Sequence, residues 1–138
     1  MSHITQIRSK NVSEPTPNIF SNCLQVGNQI FLSGMTAGDN AGGVLGDGTP
    51  EDQSRQCLLK IKHLVEQAGG TLSDVVKLTV YLTDINHRAD FGKARMEFFK
   101  DVMPCSTLIE VSRFVQSELV VEVDAIAMLS PEIQTKNV

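Results

Sequence analysis

Residues 104–128 (PCSTLIEVSRFVQSELVVEVDAIAM) carry the two acidic residues whose setting most invites chemistry, Glu122 and Asp124. Leu119, Val121, Val123, Ala125 and Ala127 alternate there with Val120, Glu122, Asp124, Ile126 and Met128. Alternation at this period places successive side chains on opposite faces of a strand. One face is therefore wholly apolar, and the other sets two carboxylates among aliphatic neighbours. A buried carboxylate is expensive unless it is paired or hydrogen-bonded. Either this face is wetted, as at a subunit boundary, or an acid is kept there for use. Aliphatic surroundings raise a carboxylate's pKa toward the range in which it trades protons with a substrate or activates a water. Glu122 fits that role.

Other chemistries lack their residues. Ser33-Gly34 is not part of GxSxG, and no Cys-His signature surrounds Cys105. The glycine-rich segment 34–48 (GMTAGDNAGGVLGDG) contains neither GxGxxG nor GxxxxGK[ST], which argues against a phosphate cradle. It reads as a surface loop nearly devoid of core residues, close enough to Ser33-Gly34 to act as a lid. His3, His63 and His87 are scattered, and His63 has no partner at metal-ligand spacing, so neither a metal nor another cofactor is expected. A net charge of -4 argues against nucleic acid and acidic membranes as partners, since both are gripped by clustered Lys and Arg. No apolar run approaches the roughly 20 residues of a membrane span, and residues 1–10 are too polar for a signal peptide. Cys23, Cys57 and Cys105 are odd in number and widely spaced, which points to reduced thiols and a cytoplasmic protein.

The elements that must position Glu122 follow from patterning. The chain, residues 1–138, is long enough for one domain. A weak edge strand over residues 3–9 precedes a proline-containing loop. Residues 20–26 and 29–33 form a hairpin about Gly27-Asn28. Thr49 caps a helix that starts at Pro50, buries Cys57, Leu58, Ile61, Leu64, Val65 and Ala68, and stops at Gly69-Gly70. Residues 75–83 form the clearest strand, with Val76, Leu78, Val80 and Leu82 facing one way. A second helix over residues 88–100 offers Phe91, Ala94, Phe98 and Met103 to the core, and the polar tail after Ser130 is frayed. The fold class is α+β: a sheet of about six strands with two helices on one face. Several strands are apolar on both sides, so the second face calls for self-association.

Several of these segments resemble the Rid (YjgF, endoribonuclease L-PSP) family. The matching residues are Glu110-Val111, the run Val121-Glu122-Val123-Asp124-Ala125-Ile126-Ala127, Ser33-Gly34 after an apolar strand, and residues 76–84 (VKLTVYLTD). The similarity covers nearly the whole chain in matching order. It implies a chorismate-mutase-like fold and a homotrimer whose small-molecule clefts lie between subunits. In that family the glutamate matching Glu122 orients a water that attacks the C=N carbon of an imine, releasing ammonia. Ser33, Gly34 and Phe20 match pocket positions, Phe20 standing where a tyrosine is common. An arginine that clamps the substrate carboxylate is replaced here by Ser106, beside Cys105. A serine hydroxyl has neither the charge nor the paired donors of a guanidinium, and Arg113, seven residues on, points away from the Ser106 side of a regular strand. The resemblance thus implies a member of a subgroup lacking the arginine, an imine or enamine deaminase with weak activity on 2-aminoacrylate. The alternative is a non-catalytic trimer that binds or senses a small molecule in the same clefts. Ribonuclease activity, also known in the family, sits badly with the net charge and the single tyrosine.

Overall fold

The computed structural model describes residues 2–131, so the tail after Ser130 lies outside them except for Pro131. The first helix begins as its residues dictate. Thr49 is extended and its Oγ1 accepts the N–H of Asp52 at 3.2 Å, while Glu51 and Asp52 sit at the positive end of the helix. This helix, α1 (Pro50–Gln67), buries Cys57, Leu58, Ile61, Leu64 and Val65, and the chain leaves it through Gly69 at a φ of 95°. That is left-handed backbone, open to glycine at little cost.

Six strands make one sheet: β1 (Ile4–Gln6), β2 (Cys23–Val26), β3 (Gln29–Met35), β4 (Val75–Leu82), β5 (Cys105–Glu110) and β6 (Val121–Met128), with α2 (Arg88–Phe98) between β4 and β5. Their spatial order is β1-β2-β3-β6-β4-β5. β4 and β5 are parallel and all other neighbours are antiparallel, so β3, β4 and β5 run the same way. The crossovers β3-α1-β4 and β4-α2-β5 step across the sheet in one direction, and their right-handedness puts both helices on one face. α1 lies on β3 and β6, and α2 packs against α1. The Arg55 guanidinium joins the helices through two 2.8 Å bonds to Glu97. The expected α+β architecture is the one observed.

Four local expectations need correction. Val75, 4% exposed, occupies the core position expected for Val76, which is 43% exposed. A bulge is the reason: Val75 pairs with Ala127 and Lys77 with the adjacent Ile126, so Val76 is extra on β4. α2 ends at Phe98 rather than at residue 100. Met103, at 51% exposure, is not a core residue, and Phe99 is buried instead. Finally, the glycine-rich segment is anchored rather than coreless: Met35 and Ala37 are buried, Gly38 bridges Val44, and the Asp39 carboxylate accepts the N–H groups of Ala41 and Gly43, each at 2.8 Å.

The face away from the helices carries a mixed set of side chains. Phe31 pairs with Leu24 on one side and Ile126 on the other, and Gln29 pairs with Val26 and Met128. Ile4, Phe31, Ile109 and Met128 are exposed on it. Within this face the Tyr81 hydroxyl donates to Asp124 Oδ2 at 3.0 Å, and Lys77 Nζ donates to Thr107 Oγ1 at 2.6 Å. No helix among the described residues is long and apolar enough to cross a membrane.

Candidate functional site

Glu122 stands opposite Tyr81 of β4, near the start of β6. On its other flank β3 bulges: Leu32 pairs with Ala125 and Met35 with Val123, so Ser33 and Gly34 together oppose Asp124. Such bulges locally bend a strand and are common beside active sites. Here the bulge brings the Gly34 backbone against the Glu122 side chain. A Cβ on residue 34 would fall 2.5 Å from Glu122 Oε2 and 2.6 Å from its Cδ. A side chain at residue 34 would push the carboxylate from this place, so the glycine serves a close approach rather than a special backbone conformation.

The Glu122 carboxylate is half-buried and has no hydrogen-bond or ion-pair partner among the described residues. Burial first, and the neighbouring charge of Asp124 second, raise its pKa above the ordinary carboxylate value. Burial favours the neutral acid, and a nearby like charge acts in the same direction. Asp124 is engaged otherwise, through the Tyr81 hydroxyl, and that bond in turn raises the phenol's pKa. Of the two acids, Glu122 is the one left available.

A cleft of about 630 Å³ opens beside Glu122, and Phe20, Gly34, Thr36, Lys60, Gln116 and Leu119 are among its lining residues. Its volume suits a small metabolite. Phe20, 55% exposed, stands at this cleft. Ser33 turns away: its Oγ donates to the Ser21 carbonyl at 2.6 Å and its N–H to the Asn22 carbonyl at 2.9 Å. That pair of bonds fixes the chain just after Phe20, so Ser33 positions the aromatic from behind.

The structure thus gathers Phe20, Gly34 and Glu122 on one cleft, with Ser33 as their support. Cys105 and Ser106 are not part of it within the chain. They lie on the edge strand β5, where Ser106 pairs with Leu78 and thereby takes the helix-side face, opposite to that of Glu122. β4 separates the two strands, so Ser106 is roughly 10 Å across the sheet and roughly 10 Å along it from Glu122. Arg113 lines a neighbouring depression, with Thr83 and Ser112, that shares Phe114, Val115 and Leu119 with the cleft; Arg113 itself is not among the cleft's lining residues. Cys105 is exposed, whereas burial pushes the Cys23 and Cys57 thiols up to about 12.

Sequence reasoning missed Lys60. It lies three residues after Cys57 and four before Leu64, inside the apolar stripe of α1, and that spacing was the available signal. It also missed Asn22, whose buried amide holds the loop lining the cleft by donating to the Ser13 carbonyl at 3.0 Å and to Glu14 Oε2 at 3.3 Å. Among the described residues no group of three or more His, Cys, Asp or Glu could hold a metal ion.

Comparison with known proteins bears on the family and the fold. The model of a family described as Endoribonuclease L-PSP matches residues 12–129. A RutC family protein of Pyrococcus horikoshii is 37% identical over 108 residues, covering 78% of this chain and 85% of that protein. A 2-iminobutanoate/2-iminopropanoate deaminase of Dermatophagoides farinae is 26% identical over 110 residues, covering 80% and 85% of the two chains. Among solved structures, a Pseudomonas aeruginosa protein of unknown function superposes with a TM-score of 0.83 at 38% identity, over 94% of this chain and 95% of that one.

Proposed function

From the premise that the chain belongs to the endoribonuclease L-PSP (YjgF/Rid) family, we propose that it hydrolyses a small imine, or the enamine that tautomerises to it. The single observation that carries this reading is Glu122: a half-buried acid of raised pKa, unpaired, pressed over Gly34 at the wall of a metabolite-sized cleft. An imine carbon needs a water and a group that moves protons. Glu122 takes a proton from the water as its oxygen bonds to the C=N carbon and returns that proton to the nitrogen. Glu122 then carries the hydroxyl proton of the tetrahedral intermediate to its amine, and ammonia leaves as the C–N bond breaks and a carbonyl forms. A pKa raised toward neutrality suits a group that must both take and return a proton. A deaminase among the relatives supports the reaction class.

The native assembly in this reading is a homotrimer that covers the open sheet face and completes each cleft with a neighbour's β5. That places a second chain's Ser106 where an arginine would clamp a carboxylate. Hydrogen bonds to charged groups contribute about 1.5–3 kcal/mol each, so a missing bidentate clamp weakens carboxylate binding by about a hundredfold or more. The test is ammonia release from 2-aminoacrylate generated in situ from serine. Weak release, abolished by Glu122→Gln, is the expected result. Robust release would show that Ser106 does not limit the site, and release that survives Glu122→Gln would overturn the mechanism.

A second reading has a specific observation behind it. The serine at position 106 removes the substrate clamp while leaving the cleft intact, which suits a non-catalytic binder. In that case Glu122→Gln alters affinity and there is no turnover to lose.

A further inference from the structure

Three charged residues line the cleft: Glu14, Lys60 and Glu122. Glu14 is occupied, since its carboxylate receives Arg8 and Asn22, each at 3.3 Å. Glu122 is the acid assigned above. Lys60 remains unexplained by the reaction. Its stem rises from α1 beside the fully buried Cys57, and its Nζ donates to the Gly38 carbonyl at 2.7 Å. Gly38 is held in turn by its own N–H to Thr36 Oγ1 at 3.1 Å, so the ammonium has a fixed seat at the cleft wall. An ammonium has three donors, and no carboxylate lies within ion-pair distance of this one among the described residues. Asp39 is near enough to be felt, but its Oδ1 is taken by two backbone N–H groups. Burial lowers the Lys60 pKa accordingly.

A partly desolvated cation with no carboxylate in contact is a poor structural device. A glutamine could cap the Gly38 carbonyl without the charge. Lys60 and Glu122 line the same cleft without pairing with each other, which leaves room for a molecule between them. We propose that Lys60 is the anion-holding residue of the cleft, binding the acid group of a small ligand whose electrophilic carbon faces Glu122. The proposal rests on the reading of Glu122 only for what the far end of the ligand does. It moves the grip on the anion from the β5 edge, where Ser106 offers no charge, to α1. Because an ammonium is a point charge without a planar fork, the site favours compact anions and is tolerant of their geometry.

The test uses 2-oxobutanoate, a stable keto acid, and its uncharged amide as probes, titrated into the full-length protein at low salt by calorimetry or NMR. Wild type is expected to bind the acid about tenfold or more tightly than the amide, and Lys60→Gln is expected to lose that preference, while Lys60→Arg keeps it to within about threefold. Equal binding of acid and amide by wild type, or undiminished acid binding by Lys60→Gln, would overturn the proposal. Should Lys60→Gln fail to fold, the wild-type acid-to-amide ratio and Lys60→Arg still decide. Glu122→Gln separates the two readings, since it is expected to keep the acid preference while losing turnover. Absence of imine hydrolysis with a Lys60-dependent preference intact would remove the reaction and leave the anion site. Turnover that needs Glu122 but ignores Lys60 would do the reverse.

Discussion

A carboxyl group held above its ordinary pKa is more stable in the fold as the neutral acid, and it weakens the fold when ionised. Glu122 is such a group, lifted from 4.5 chiefly by burial and further by Asp124. Its contribution to stability is fully present below the unfolded value and disappears as pH rises through the folded one. Glu122→Gln keeps the shape and removes the ionised state. The variant should therefore melt at or above wild type at about pH 8, and the difference should vanish on approaching about pH 4. Thermal melts at both ends of that range check this. A variant less stable than wild type at the alkaline end would mean that the carboxylate has a favourable partner in solution. Turnover should move the opposite way, because the water-activating form is the ionised one. Its pH profile should fall on the acid side at a midpoint above the ordinary glutamate value of 4.5. The residue that weakens the fold at neutral pH is then the one that works, as expected where activity depends on a destabilised group.

At the scale of elements, the site depends on how α1 is locked to the segment entering β6. Gln53, buried on the first turns of α1, makes three hydrogen bonds: Nε2 to the Gly48 carbonyl at 3.0 Å and to the Glu118 carbonyl at 2.9 Å, and Oε1 from the Val120 N–H at 3.0 Å. Each bond reaches backbone that would otherwise be left unsatisfied. Gln53→Ala should cost about 2–4 kcal/mol, lowering Tm by about 8–16 °C in a domain of this size, against a change within about 0.5 kcal/mol for the exposed Gln67→Ala. Denaturant melts of the two variants side by side measure it. Gln53 also shows what the sequence could and could not disclose. The helix around it was readable, because Thr49, Pro50 and the apolar stripe each have a local physical cause. Two of the three bonds of Gln53 were not, because their partners lie 65 and 67 residues away. The same limit explains both bulges. Period-2 alternation locates a strand but has no marker for an extra residue, so it misassigned Val76 and left unseen how Gly34 crowds Glu122. The acid itself was legible because an apolar run makes a lone carboxylate conspicuous. Lys60 was not, because a lysine on a helix reads as solvated until the Gly38 carbonyl and the cleft wall are in place.

For the whole molecule, the homotrimer proposed above makes the open sheet face decide whether the cleft is complete. One chain presents Phe31, Ile109, Ile126 and Met128 on that face beside the hydrogen-bonded Tyr81 and Asp124. In the homotrimer proposed above, this mixed face is the one covered by neighbouring copies. Ser106 lies on the opposite face from Glu122 and a whole strand away, so no small ligand can touch both within one chain. The two can meet only across a boundary between copies. Ser106→Arg should therefore raise 2-aminoacrylate turnover by about tenfold or more, by supplying a paired charged donor to the carboxylate. That gain should depend on assembly. Ile126→Lys, which sets a charge opposite Phe31 at the centre of the open face, should disperse the proposed trimer in light-scattering chromatography while Glu122→Gln leaves it whole. In the Ser106→Arg/Ile126→Lys double variant the gain should be absent, because the new guanidinium then has no neighbouring cleft to enter. A double variant that runs as a monomer yet retains the gain would place the arginine within reach of its own Glu122, against the register of the sheet. Loss of the gain together with the trimer would identify the boundary between copies as the place where the reaction is catalysed.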